Sequence, residues 1–575
     1  MSARWDVIVV GAGAAGLVAA WHARQQGASV LVVNKGLVGR SGATITSGGG
    51  VSAAGSTLLE LGLPGDAADT EEVFLRDTLA AGSWLNDQSL AQAMVRGVGP
   101  ELKRLIDDGV KYRITTRAPG HSSGRGLHIK GPDMQKAVTN QAVAAGVQFR
   151  EDFQSTDLLR HDGAVVGVAG LDKRSGEAEV IFGHAVVLAT GGTTSNWHLR
   201  TAPEELSGEG HAMALAAGAE LIEMEMLQFL PCCLASPPLW RGLQFPWTLG
   251  PQGGLRAWLL NRYGERFMAR WDPERMELAT RDIVSAACAA EVVEGRGSPN
   301  GAVYLSWKHL PNDIIDNYVT WSKSVTPEWQ WQGFDMKPLI ERIRAGYAVE
   351  VMPAAHFSLG GIRVDAHGAT RVPGLYACGE TTGAVHGANR LSGNAGAQML
   401  AQGRAAGLAA ARASGERRSQ GRADDLQEVL AGIHGPWRRQ GGESTEVPFE
   451  LKDRLTQLAE SALGAARSGA VLEQALKTLG ELKREVLPRL ACRNREHVWN
   501  RDWSDALECR AAVPVLESAL LGALGRSTSI GAHQRHDKRG KSTSSAALQH
   551  SIVSREGDAL TLRHEPVRYT AMQPC

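Results

Sequence analysis

Apolar and polar positions along this chain follow two different periods. Between Trp5 and Val10 the residues WDVIVV form a short β-type run, which breaks at Gly11, Gly13 and Gly16 and continues into the helical stretch LVAAWHARQQG. A second apolar run, Ser29 to Val33, follows at the distance of a β-α-β unit. From Ala423 onward the pattern changes: apolar residues recur every three or four positions in LTQLAESALGAARSGAVLEQALKTLGELKREVLPRL, which predicts an amphipathic helical domain. The segment Ala411 to Asp424, ARASGERRSQGRAD, reads as a polar linker, and KRGKSTSSAALQHS, starting at Lys538, reads as a loop before a terminal strand pair around Ala559 to Tyr569. No internal repeat is visible.

The strand, glycine turn and helix at the start predict a dinucleotide cradle. Gly11 allows the tight turn, Gly13 lets backbone approach a pyrophosphate, and Gly16 lets the helix pack closely on the strand, while the first helical turn offers unpaired N–H groups and a partial positive charge. At the end of the second strand, where an Asp or Glu commonly meets the ribose, stands Asn34, whose amide oxygen can also accept from a ribose hydroxyl.

Composition narrows the function classes. A chain of 575 residues suggests about three or four domains. Lys plus Arg equals Asp plus Glu at 61 each, so no net field favours nucleic acid or an anionic membrane. Seven cysteines are scattered without metal-binding spacing, and the neighbours Cys232 and Cys233 suit neither a zinc knuckle nor an iron–sulfur cluster; no metal site is expected. The absence of a leader pattern before Trp5 and of any apolar run near the roughly 18 residues of a membrane span predicts a cytoplasmic, reduced protein without a transmembrane segment.

Six further motifs occur in order: VGRSGATITSGGGVSAAG from Val38, VVLATGG from Val186, LSGEGHAMALAAGA from Leu206, AAHFSLGGIRVD from Ala354, VPGLYACGET from Val372 and HGANRLSGNAGAQMLAQGRAAG from His386. Together they resemble the flavoprotein subunits of the succinate dehydrogenase, fumarate reductase and L-aspartate oxidase family, from about residue 5 to 408 and again at Arg526 to Asp537. The resemblance implies FAD as cofactor and an α/β architecture. A Rossmann-like FAD-binding domain is split between residues 1–224 and 354–412, and an α+β capping domain is inserted at 225–353. A helical domain at 423–535 and a tail at 536–575 follow. The insertion carries Trp240, Trp247, Trp258, Trp271, Trp307, Trp321, Trp329 and Trp331.

By the same resemblance the cofactor contacts fall on Gly11, Gly13, Ala14, Ala15 and Gly16, on Asn34 and Lys35, and on Arg40, Ser41, Gly42, Gly48 and Gly49. They continue with Ala189, Thr190 and Gly191, with Glu209, with Gly379, with Glu380 at the ribityl hydroxyls, and with Asn389, Arg390, Gly393 and Ala395. The helix opening within Leu391 to Ala397 is expected to point its N-terminus at the flavin pyrimidine, where it would stabilise the charge of a reduced ring. Succinate and fumarate enzymes attach FAD to the His of an R-S-H-T run; here that run is Arg40, Ser41, Gly42, Ala43, so FAD should be held without a covalent bond, as in L-aspartate oxidase.

Three active-site residues of the family are kept: Arg281 at the proton-transferring arginine, and His356 and Arg390 at the substrate-carboxylate ligands. Read separately, each has an ordinary role open to it, as a helix cap, a core histidine and a backbone tether. Arginine nonetheless suits a carboxylate, because its planar fork makes two charge-assisted bonds at once. Other family positions have changed. The Q-x-H-P run is Gln228, Phe229, Leu230, Pro231, and the T-E-G-C-R-G-E-G-G run aligns with Leu249 to Ala257, placing Leu249 and Gly250 at the Thr and Glu positions and Gly253 at the relay arginine, with Arg256 nearby. Loss of those polar groups implies a carboxylate substrate larger or less charged than succinate. A flavin reduced by this substrate would pass electrons to oxygen, a quinone-linked acceptor or an iron–sulfur partner. Two other readings stay open: an adenylylsulfate-reductase-like flavoprotein, suggested by the R-S-G-A run and the Gly250–Gly253 turn, and an electron-transfer flavoprotein with an iron–sulfur partner. His533 and Arg535, in RSTSIGAHQRHD, read as packing residues more readily than as catalytic ones.

Overall fold

The computed structural model describes residues 4–115, 117–244, 255–317, 337–416, 423–439, 446–538 and 548–574. At its centre is a parallel sheet in which Gln148–Arg150, Val30–Val33, Trp5–Val10 and the second half of Glu177–Leu188 lie side by side, with Leu375–Ala377 also parallel to Glu177–Leu188. Val7 faces Val30 and Val9 faces Val187, and Val7 to Val10 are buried. A strand covered on both faces has no solvent side to mark with polar residues, hence the unbroken apolar run. The first half of Glu177–Leu188 pairs instead with an antiparallel hairpin, Phe153–His161 and Ala164–Asp172, so one long strand serves both arrangements.

The helix Ala14–Gln25 packs against Asn394–Glu416, and the two approach so closely that a Cβ on Gly403 or Gly407 would lie 2.6 or 2.2 Å from the carbonyls of Ala15 and Ala19. This contact carries the start of the later helix onto the fingerprint turn.

The insertion has its own antiparallel sheet, in the order Leu227–Leu234, Val349–Ser358, Val303–Ser306, Trp258–Leu260, and its own core around Leu234, Leu259, Phe267, Val284, Trp307 and Val351. Its first and last strands pair with each other, so the chain leaves and re-enters the cofactor region at one place. Of the tryptophans expected here, Trp307 is fully buried, while Trp240, Trp258 and Trp271 are half-buried; Trp247, Trp321, Trp329 and Trp331 fall outside the described residues.

The carboxy-terminal region is helical, with Leu426–Arg438, Pro448–Ala462, Gly469–Glu481 and the long Arg501–Gly525, which is buried along most of its length. Two expectations are corrected. The supposed linker begins as helix, because Asn394–Glu416 continues through Ala411 and buries Ala411 and Ser414; residues 417–422 fall outside the described residues. The terminal hairpin starts earlier, with Gln549–Glu556 and Ala559–Pro566, and docks on Leu221–Ile222. The reason is a buried polar cluster: Ser551 Oγ donates to Glu225 at 2.6 Å and His550 Nδ1 lies 2.9 Å from Glu223. The Arg526–Asp537 segment belongs to the same packing. Arg526 pairs with Glu225 at 2.8 Å, and His533 bridges the Arg526 carbonyl and Arg467, while Arg535 pairs with Asp537. Among the described residues no helix is long and apolar enough to cross a membrane.

Candidate active site

The fingerprint turn is built for close approach. A Cβ on Gly11 would lie 2.2 Å from the Ala189 carbonyl, and one on Gly16 would lie 2.1 Å from the Gly11 carbonyl, so both glycines are required by backbone packing. A Cβ on Gly13 would meet nothing nearer than Thr44 Oγ1 at 3.5 Å, which leaves the mouth of the turn open. Thr44 accepts the Ala14 N–H at 3.1 Å, whereas the amides of Ala15 and Gly16 have no partner among the described residues. Unpartnered amides at a helix N-terminus suit a pyrophosphate.

Asn34 is engaged by neighbouring groups. Its Oδ1 accepts the Ala12 N–H at 3.0 Å, and its Nδ2 donates to the Gly36 carbonyl and to Ser41 Oγ at 2.9 and 3.0 Å. The side chain thus ties the fingerprint to the loop carrying Arg40, Ser41 and Gly42. Lys35 and Glu209 meet each other, Nζ to Oε1 at 2.6 Å. Arg40 and Gly48 are exposed, and Gly49 packs against the Ile129 carbonyl.

The second half of the cradle converges on the first. Gly379 abuts Ala15, and Gly192 leaves room for the Glu380 carboxyl, which accepts the Ser358 N–H at 2.9 Å. Burial pushes Glu380 up to about 7. Thr190 Oγ1 is buried without a partner, and Gly393 lies against Ser52. The amides of Ala395 and Gly396, at the start of Asn394–Glu416, have no partner among the described residues. Two orphaned helix N-termini joined by glycine-lined backbone and one protonatable acid fit an extended dinucleotide such as FAD.

Gly42 has φ +84° and nothing within 4 Å of where a Cβ would be. An L side chain is strained at that angle, and glycine offers no atom for a flavin linkage. Acid or heat denaturation is therefore expected to release intact FAD into the supernatant; flavin fluorescence remaining with the precipitated polypeptide would contradict this.

Arg281, His356 and Arg390 meet beside the cradle from three elements. Arg281 opens the helix Arg281–Val293, seated on Leu227–Leu234 by a Ser285 hydroxyl that donates to the Phe229 carbonyl at 3.1 Å. His356 lies on Val349–Ser358, and Arg390 on the loop before Asn394–Glu416. Arg281 and Arg390 line one cleft with Ala118, Pro119, Thr280, Asn389, Leu391 and Ser392. Arg390 stacks over Phe357 at 4.5 Å, donates to the Leu391 carbonyl at 3.2 Å, and keeps Nε without a partner. Among the described residues neither arginine forms an ion pair. Burial and then Arg281 hold Arg390 down to about 9, and burial alone holds Arg281 at about 10. His356 is pushed well below its ordinary value by burial and then by the two arginines, so it is neutral; its Nδ1 lies 2.7 Å from Thr201 Oγ1.

Gln228 is visible in the sequence only as a remnant of the Q-x-H-P run, yet it joins the two arginines. Its Oε1 accepts from Arg281 Nη1 at 3.2 Å, and its Nε2 donates to Asn389 Oδ1 and the Arg390 carbonyl at 2.9 and 2.8 Å. Ala118 and Pro119 give no sequence signal, since only the fold brings them to the cleft. Leu230 offers no polar atom beyond its backbone. Arg256 is exposed and does not line the cleft; Leu249, Gly250 and Gly253 lie outside the described residues.

Comparison with known proteins agrees with this geometry. The FAD binding domain family matches residues 6–395, and the fumarate reductase flavoprotein C-terminal family matches residues 452–575. A subunit of the fumarate reductase (CoM/CoB) of Methanothermobacter marburgensis is 30% identical over 546 residues, covering 92% of this chain and 94% of that protein. Mycobacterium smegmatis Sdh1, solved in complex with UQ1, is 29% identical with a TM-score of 0.84, covering 100% of this chain and 96% of that one. Adenylylsulfate reductase of Archaeoglobus fulgidus shares the fold, with a TM-score of 0.78 at 18% identity over 100% of this chain and 97% of that one.

Proposed function

The chain belongs to the fumarate reductase and succinate dehydrogenase flavoprotein family and is an FAD-dependent oxidoreductase; from that premise we propose that it dehydrogenates a C–C or C–N bond next to a carboxylate in a substrate other than succinate or fumarate. The observation that carries the reading is the pair of guanidiniums, half-buried Arg281 and buried Arg390, that line one cleft and form no ion pair among the described residues. A buried charge without a counter-ion is costly, and an entering carboxylate relieves that cost.

Arg390, fixed by Phe357 and the Gln228 contact, grips one carboxylate, and neutral His356 donates to it without adding charge. Bound FAD supplies the two-electron acceptor for the hydride that leaves the carbon next to this carboxylate. Arg281 in its neutral form takes the proton from the neighbouring atom; an arginine is ordinarily too basic for that role, and desolvation to about 10 raises the share of this neutral form. The electrons then pass to an acceptor outside this chain, quinone-linked or iron–sulfur.

No second carboxylate grip is offered by Leu230, nor by Leu249 or Gly250 in the sequence. Anaerobic mixing of the oxidised protein with succinate, and of the reduced protein with fumarate, is expected to give flavin changes far slower than those with bulkier or singly charged carboxylates. Rapid bleaching by succinate or rapid reoxidation by fumarate would sink the reading. The electron-transfer and adenylylsulfate alternatives gain ground only if no carboxylate reduces the flavin while adenylylsulfate or an iron–sulfur donor exchanges electrons with it.

A further inference from the structure

The charged groups at the adenosine end of the cradle do not end with Lys35 and Glu209. Lys35, at the end of the second strand, places Nζ 2.6 Å from Glu209 Oε1, 2.9 Å from Ser207 Oγ and 2.7 Å from Glu508 Oε1. Glu508 belongs to a distant part of the chain, the helix Arg501–Gly525, and its carboxylate is almost fully buried, with a side-chain exposure of 5%. Its other oxygen takes Lys452 Nζ at 2.5 Å, and Lys452 also meets Asp505 at 2.9 Å and Glu204 at 3.3 Å. Beside this contact the same helix closes on the turn that presents Glu209, for a Cβ on Gly208 would lie 3.2 Å from Val515.

The strand end and the helix N-terminus that carry Lys35 and Glu209 are where an open parallel sheet receives the adenosine half of a dinucleotide. Both side chains are long and flexible, and each loses rotamer freedom when fixed. Without Glu508, Lys35 would have only Glu209 as an anionic partner, and the two would neutralise each other. With Glu508 as a second acceptor, Lys35 is anchored from below and Glu209 keeps capacity to accept from a ligand hydroxyl.

We propose that Glu508, a residue of the helical region, is a positioning residue of the FAD site: it holds Lys35 and Glu209 in place for the adenosine ribose, so that docking of the helical region and FAD binding reinforce each other. The inference rests on the reading of Lys35 and Glu209 as cofactor-facing residues.

The test is titration of full-length, FAD-stripped protein with FAD, followed by quenching of flavin fluorescence, with far-UV circular dichroism to verify the fold. Glu508→Gln and Lys35→Met are each expected to weaken FAD binding by about tenfold or more, and the double variant should be no weaker than the worse single one, as for two residues acting as a unit. Lys452→Met breaks the same cluster on its far side and should stay within about threefold of the native affinity. If Lys35→Met leaves the affinity unchanged, the underlying site reading falls. If Lys35→Met weakens it and a folded Glu508→Gln does not, the present inference alone falls. Equal weakening by Lys452→Met would overturn it too, because the effect would then be general loosening. Should Glu508→Gln fail to fold, Glu508→Asp retains the charge on a shorter arm; unchanged affinity there is equally fatal, and a loss of about threefold or more supports the proposal.

Discussion

Arg390→Lys is expected to keep the fold and bind FAD while losing about thirty- to several-thousand-fold in kcat/KM. The range corresponds to about 2 to 5 kcal/mol for truncating one partner of a desolvated charge pair. Arg390 is buried, without an ion pair among the described residues, and sits over the Phe357 ring at 4.5 Å. An ammonium on a flexible stem fits neither the stack nor a bidentate carboxylate. Arg281→Lys should instead depress the proton-transfer step and leave KM comparatively unchanged. The native pH profile carries the same signature. Only a protonated Arg390 grips an anion and only a neutral Arg281 takes a proton, so kcat/KM should rise toward about pH 9, level off, and fall above about 10, with Arg390 held to about 9 and Arg281 to about 10 in the free protein. A bound carboxylate favours the charged form, so the alkaline limb of kcat should lie at higher pH than that of kcat/KM. Near-native turnover in Arg390→Lys with FAD bound would place the anchor elsewhere and advance the electron-transfer reading.

Gln228→Leu is expected to cost about ten- to a hundredfold in kcat, from about 1.5 to 3 kcal/mol for a hydrogen bond to a charged group. Its amide holds the Arg281 guanidinium on one side and the Asn389 side chain and Arg390 carbonyl on the other, and it is completely buried. Leucine of similar bulk leaves Arg281 without its recorded partner and leaves the Arg390 carbonyl unsatisfied. Single-turnover flavin reduction under saturating substrate measures this directly. A variant with native reduction rates would show that the arginines are positioned by their own packing.

What the sequence discloses is local. The run Val7 to Val10 and the glycines after it state a strand, a turn and a helix within a few residues of one another, and the structure has all three. His356 and Arg390 are recognisable because each sits inside a short ordered motif; the fold brings Arg281 and Arg390 to one cleft, and His356 lies near enough to feel both guanidiniums. Gln228 reads as part of a degraded motif, since nothing in LQFLP tells that its amide spans to a loop 161 positions later. Asn34 reads as a ribose ligand because strand ends often carry that role; its contacts with the Ala12 amide and Ser41, which join the turn to a loop, carry no sequence signal. The pairing of Lys35 with Glu508 has no sequence signal, as Lys35 reads as a cofactor contact and Glu508 lies on a helix far along the chain.

The hairpin Gln549–Glu556 and Ala559–Pro566 bears on how the molecule is assembled in time. Its first strand completes the sheet begun by Leu221–Ile222, and Glu223 waits for His550 across 327 positions. Until that late segment has been synthesised, two buried acids and a bare strand edge stay open in the middle of the cofactor region. An open edge is a template for pairing with other chains, and contacts this remote in sequence form slowly. The interval between translating residue 222 and residue 550 is therefore the period in which the nascent chain is most exposed to misassembly, and when chaperone capture has the most to protect.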